Sequence, residues 1–125
     1  MNQKIKSYQS VITGIGASLP KRVVTNKDLT KIVDTTEEWI VERTGIQERR
    51  IASDNETTSS LGTEAAKIAL QNAQLKSKDI DLIILATATP DNTFPASATV
   101  IQSSLGIEKC YAYDMQAVCS GFVFA

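Results

Sequence analysis

The chain has 125 residues, 42% of them hydrophobic and 22% charged, the size and composition of one soluble globular domain. Thirteen lysines and arginines against 14 acidic residues give a net charge of -1, so there is no basic excess for a nucleic-acid backbone. Histidine is absent, which excludes a Ser-His-Asp triad, a Cys-His pair and a His-ligated zinc site within these residues, and no metal site is expected.

Residues 1–9 are polar and read as a disordered N-terminus, with a folded domain over residues 10–125. Val11-Ile12-Thr13-Gly14-Ile15-Gly16 reads as a buried strand, ended by Leu19-Pro20. Its small and polar residues fit a first strand better than a signal sequence. Asn26 is placed to cap a short helix with Asp28 in its first turn and Leu29, Ile32 and Val33 inside. Thr35 and Glu38 match a capping box that opens a second helix. That helix carries Trp39, Ile40 and Arg43 and stops at Gly45. A short strand follows over Glu48–Ala52.

Thr57 or Thr58 starts a longer helix in which Leu61, Ala65, Ile68, Ala69 and Ala73 recur at helical spacing. Ile80–Thr87 reads as a strand buried on both faces, and it is far short of the ~20 apolar residues a membrane span needs. A loop with Pro90, Asp91, Asn92 and Pro95 leads to a helix over Ala96–Leu105, ended by Gly106. Tyr111–Met115 reads as a further strand. Phe122-Val123-Phe124-Ala125 then starts an apolar element with no cap and no polar taper, as expected of a chain cut inside that element. Alternating strands and helices predict an α/β domain with a largely parallel sheet.

Two clusters hold candidate chemistry. Gln116-Ala117-Val118-Cys119-Ser120-Gly121 follows a strand and precedes an apolar segment, the pattern of a nucleophile elbow. Small neighbours permit a tight turn, a helix N-terminus favours thiolate, and the Cys119 backbone N–H is placed for an oxyanion. Alternatively, Cys119 is a buried small hydrophobe. Cys110 lacks this setting, and both cysteines read as free thiols of a reducing cytoplasm. In the second cluster Thr35, Trp39 and Arg43 are spaced by four, which places them on one helix face. An aromatic plane with a guanidinium one turn on can stack a base and pair a phosphate. Equally, Trp39 can anchor the helix in the core while Arg43 pairs with Glu38 or Glu42.

Five segments together resemble the N-terminal part of β-ketoacyl-acyl-carrier-protein synthase III, a condensing enzyme of the thiolase superfamily. They are Gly14–Pro20, Thr25–Leu29, Asp34–Ile46, Phe94–Ala96 and Ala117–Phe122, and the resemblance runs from Val11 to Ala125. The Trp39 segment is the most specific of them. The resemblance implies a thiolase-like layered α/β fold, of which this chain supplies most of the N-terminal half. It implies that Cys119 accepts an acetyl or short acyl group from acyl-CoA as a thioester. Decarboxylation of malonyl-acyl carrier protein then supplies the carbanion for a condensation that initiates fatty acid synthesis. It further implies that Thr35, Trp39 and Arg43 lie near the CoA nucleotide, and that Phe94 lines the acyl pocket of the partner in a homodimer. No permanently bound cofactor is implied, acetyl-CoA being a substrate. The family's His and Asn lie downstream of the nucleophile, so this stretch is expected to be inactive and poorly soluble alone. Two alternatives stay open: a synthase III relative that joins other acyl-CoA units, and a non-catalytic truncated remnant. No nucleic-acid or membrane partner is expected.

Overall fold

In the computed structural model, residues 9–125 are described; the disorder expected over residues 1–9 falls outside them except for Gln9. A stretch without regular secondary structure over residues 9–20 leads into β1 (Arg22–Thr25), α1 (Asn26–Leu29), α2 (Glu37–Thr44) and β2 (Glu48–Ile51). Then come α3 (Thr58–Ala73), β3 (Leu82–Ala86), α4 (Ser97–Ser104), β4 (Tyr111–Met115) and α5 (Gly121–Phe124). Short 3₁₀ turns lie at Ser77–Asp79 and Val118–Ser120.

β1 and β2 pair antiparallel, Arg22 opposite Ile51 and Thr25 opposite Glu48. Four residues are too few to show alternation, which is why β1 is not legible in the sequence. Thr25, not Asn26, caps α1: its hydroxyl accepts from Asp28 N at 3.2 Å, and Asp28 Oδ2 accepts from the Thr25 backbone N–H at 3.2 Å. The cap must be the last extended residue. Thr25 is that residue, whereas Asn26 is inside the helix and buried. The Asn26 amide donates to Ile46 O at 2.8 Å and accepts from Arg49 Nη2 at 2.8 Å, clasping α1 to the turn between α2 and β2. Because α1 is a single turn, no inner face forms for Ile32 and Val33, which are exposed.

The expected capping box of α2 does not form, and its cap is displaced by one residue. Thr36 is the cap, accepting from Trp39 N at 3.1 Å, and Thr35 precedes the helix. Gly45 ends α2 at φ 69°, donating its N–H to Val41 O at 2.8 Å, a left-handed conformation that suits glycine. α3 starts as expected, with Thr57 and Ser60 capping each other.

The expected strand over Val11–Gly16 does not form. None of the described strands pairs with it, and Val11, Ile12 and Ile15 are exposed. Instead the segment crosses the backbone of α3. A Cβ at Gly14 would run into the Ala69 carbonyl, and one at Gly16 into the Ala65 carbonyl. The glycines there permit close approach rather than strand pairing.

β3 and β4 are parallel neighbours, Leu82 opposite Tyr111 and Ala86 opposite Met115, with α4 as their crossover. α3 and α4 pack together, and α4 packs on both strands. Ala98, Ile101 and Ile107 are the buried apolar residues of this layer. β3 is not buried on both faces: its middle residues are half-buried, while Leu82 and Ala86 are exposed. Among the described residues one sheet has two parallel strands and the β1–β2 pair is antiparallel, so the largely parallel sheet is only partly present.

Candidate active site

The two parallel strands deliver the candidate residues to one end of the sheet. Phe94 is in the loop that leaves β3, and Cys119 is in the turn that leaves β4. The carboxyl ends of parallel strands are where open α/β sheets bind ligands. Thr87 N donates to Met115 O at 3.1 Å, so the ladder continues one residue past β3 before the chains part.

Cys119 is an exposed free thiol, not a buried hydrophobe. It occupies the 3₁₀ turn Val118–Ser120, closed by Ser120 N on Ala117 O at 3.0 Å. The expectation that it opens a helix is corrected by one step: the turn comes first, and α5 begins at Gly121. Val118, directly before Cys119, has φ 47°. A β-branched residue in the left-handed region is an outlier that costs about 1–3 kcal/mol and persists only where surrounding packing enforces it. Part of that enforcement is Gly121, which is buried against β3; a Cβ there would lie 3.1 Å from Ala86 Cβ. Cys110 is half-buried and free.

The second cluster is a groove of about 450 Å³ lined by Leu29, Val33, Asp34, Thr35, Thr36, Trp39 and Ile40. Trp39 is 54% exposed, and the residue that anchors α2 in the interior is Ile40, 7% exposed. This removes the reading of Trp39 as the core anchor of α2. Thr35 reaches the groove from the segment before α2, not from the helix face, and its buried hydroxyl has no hydrogen-bond partner among the described residues. Arg43 is exposed, does not line the groove, and makes no ion pair with Glu38 or Glu42 among the described residues. The structure thus brings Thr35 and Trp39 together and leaves Arg43 one turn further along α2.

Two aspartates organise the Phe94 loop. Asp114 on β4 accepts from the backbone N–H groups of Ser97 and Ala98, each at 2.8 Å, and so caps α4, whose own Ala96 has no capping side chain. Asp91 accepts from Ser59 N at 3.1 Å and from the Thr57 hydroxyl at 3.2 Å, at the start of α3. Partial burial pushes the Asp91 carboxyl up, but the hydrogen bonds from Ser59, Thr57 and Thr58 outweigh it and hold the group below the usual aspartate range. Two exposed carboxyls are lowered as well. Asp28 is lowered chiefly by Lys31 at 2.9 Å, and Glu56 by the backbone and hydroxyl of Ser53.

With this geometry in place, comparison with known proteins is informative. No family model matches the chain. A β-ketoacyl-[acyl-carrier-protein] synthase III of Brucella anthropi is 62% identical over 117 residues, which is 94% of this chain and 36% of that protein. The crystal structure of 3-oxoacyl-[acyl-carrier-protein] synthase III from Aquifex aeolicus superposes with a TM-score of 0.88 at 54% identity, over 91% of this chain and 37% of that one. By sequence and fold, the chain is similar to a segment of the β-ketoacyl-[acyl-carrier-protein] synthase III proteins. It spans about a third of the length of the synthase III relatives it matches. A further solved structure, the priming β-ketosynthase of the R1128 polyketide pathway, gives a TM-score of 0.87 at 37% identity over 90% of this chain and 34% of that one. The thiolase-like α/β fold expected from the sequence is therefore the fold of this synthase III segment.

Sequence reasoning missed Asp91, Asp114 and Val118 as parts of this candidate site. A lone Asp inside a strand such as Tyr111–Met115 is one available signal, because strands are poor in Asp unless its carboxylate has a specific partner. No helix among the described residues is long and apolar enough to cross a membrane.

Proposed function

We propose that the chain carries the acyl-accepting site of a condensing enzyme that initiates fatty acid synthesis. In this reading the Cys119 thiolate attacks the carbonyl carbon of an acyl-CoA, acetyl-CoA in the first instance. The C–S bond to CoA breaks, CoA leaves as a thiolate that takes up the proton Cys119 gave up on ionising, and a thioester remains on Cys119. Covalent capture divides a difficult condensation into two easier steps. Malonyl-acyl carrier protein then loses carbon dioxide, and its carbanion displaces the thiolate to give the 3-ketoacyl product.

The observation that carries this reading is the exposed thiol on a turn held by a left-handed Val118 at the carboxyl end of a parallel strand. Trp39 would stack on the adenine of CoA in the groove it shares with Thr35. Arg43, outside that groove, would meet a phosphate further along the nucleotide. Phe94, exposed at its loop crest, would reach the acyl pocket of a second subunit in a homodimer of the cytoplasm. Acyl-CoA needs no resident cofactor for this transfer. The stretch of 125 residues holds no histidine to assist decarboxylation, so condensation would need residues outside it.

Labelled acetyl-CoA and intact-mass measurement test the reading on the full-length protein. One acetyl group per chain is expected, on the peptide containing Cys119 and absent from Cys119→Ala. A protein that gains no adduct, or keeps it in Cys119→Ala, would show that Cys119 is not the acceptor.

A further inference from the structure

Five residues, 92–96, form an arch whose two feet are Asp91 and Ser97 and whose crest carries Phe94, 88% exposed. One hydrogen bond joins the feet directly, from Asp91 N to Ser97 Oγ at 2.8 Å, and Ser97 is fully buried. Each foot is then fixed to a different part of the fold. Asp91 is held to the start of α3 through Ser59 N and the Thr57 hydroxyl, and the nearby Thr89 O accepts from the Thr58 hydroxyl at 2.7 Å. The Ser97 backbone is held by Asp114 on β4, the strand that runs into the Val118-Cys119 turn. One chain of hydrogen bonds therefore ties α3, the Phe94 arch, α4 and the Cys119 strand into a common frame.

We infer that Asp91, through Ser97, is a positioning residue for Phe94 that sets which acyl chain lengths the enzyme accepts. The inference rests on the proposed function, because it needs Phe94 to face an acyl group. The arch is short, and no other hydrogen bond among the described residues holds residues 92–95. The height and direction of the ring thus follow from its two feet. Asp91 touches no reacting atom in this scheme, and its effect is transmitted by the arch. Small displacements matter at such a site, because a methylene in an apolar pocket is discriminated by tenfold or more, and an ångström of misplacement costs as much.

The test is the ratio of kcat/KM for acetyl-CoA to that for butyryl-CoA in the full-length protein, since a ratio within one preparation cancels the fraction misfolded. Asp91→Ala is expected to move it by about fivefold toward butyryl-CoA. Ser97→Ala, which removes the foot-to-foot bond itself while leaving the Asp91 carboxylate on Ser59 and Thr57, is expected to move it the same way. Asp91→Asn keeps one carboxamide oxygen for Ser59 N and is expected to return most of the wild-type ratio. Ratios that stay within about twofold of wild type in both alanine variants, whatever the total activity, would overturn the inference. If the wild type takes up no acyl group on Cys119, the proposed function itself fails, and the two outcomes are separable in one set of preparations.

Discussion

The Trp39 groove and the Cys119 turn are built in opposite ways. The groove is made from residues within about a dozen positions of one another, Leu29 to Ile40. Its helix is capped by Thr36 at one end and Gly45 at the other, both adjacent in sequence. The Cys119 turn depends on partners far along the chain. The strand before it is registered on β3, its Gly121 rests on Ala86, and the Asp114 five residues ahead is spent on the N-terminus of α4. Around the groove one apolar residue, Ile40, is turned inward, whereas after the turn Phe122 is 90% exposed. A binding surface for a rigid ring can be assembled locally. On the proposed function, a nucleophile that must meet other groups at a fixed place has to be tied to the sheet.

That contrast predicts which substitutions are felt where. The largest effect is expected at Asp114. Asp114→Ala removes the carboxylate that accepts from two N–H groups of the buried residues Ser97 and Ala98, and hydrogen bonds to a charged group contribute about 1.5–3 kcal/mol. A loss of about 3 kcal/mol is expected from denaturant unfolding of the full-length protein, with Asp114→Asn losing about half as much. The rate at which iodoacetamide alkylates Cys119 should change, while the emission of Trp39, the single tryptophan, should not.

Asn26→Ala should give the reverse pattern at a smaller cost. It leaves Arg49 Nη2 without its acceptor and Ile46 O without its donor, inside a buried site. About 2 kcal/mol is expected. Trp39 emission should shift, because α1 contributes Leu29 to its groove, and Cys119 alkylation should stay at the wild-type rate. If each variant moved both probes equally, the two regions would be one cooperative unit and the contrast between them would be lost.

The same distinction explains what the sequence shows and what it hides. The α/β pattern, α3 with its Thr57 cap, α4 and β4 are legible because each is announced by its own periodicity or by a cap next to it. The Cys119 motif is legible for a similar reason, as a run of small residues between a strand and an apolar segment. The caps of α1 and α2 are each shifted by one residue, because Thr25-Asn26 and Thr35-Thr36 each offer two capping side chains and only backbone geometry chooses between them. The face shared by Thr35, Trp39 and Arg43 fails for the same reason: the helix begins after Thr35. Val11–Gly16 has the composition of a strand, but pairing is a property of two segments, and none of the described strands supplies the second. Asp91 and Asp114 cap helices that lie 32 and 16 or 17 residues away, a separation that no local pattern records.

The smallest expected effect concerns acid. Asp91 has its carboxyl held below the ordinary 3.8 in the folded protein, because the bonds at the start of α3 outweigh its partial burial. A carboxyl lowered on folding contributes stability that is fully present above the unfolded value. That contribution is lost as pH falls from about 3.8 through the lower folded value. Asp91→Asn cannot lose what it lacks. The variant is therefore expected to melt below the wild type at neutral pH, with the gap narrowing once pH drops under 3.8. Thermal melting from pH 7 downward measures it. Asp28 and Glu56, lowered as well but exposed and placed on the β1–β2 side, should leave the acid response of that side unchanged in the same variant. Trp39 emission followed through the acid titration separates the two. A gap that stays constant with pH would show that Asp91 acts through its shape alone, and the link between α3 and the Phe94 arch would then rest on neutral hydrogen bonds rather than on charge.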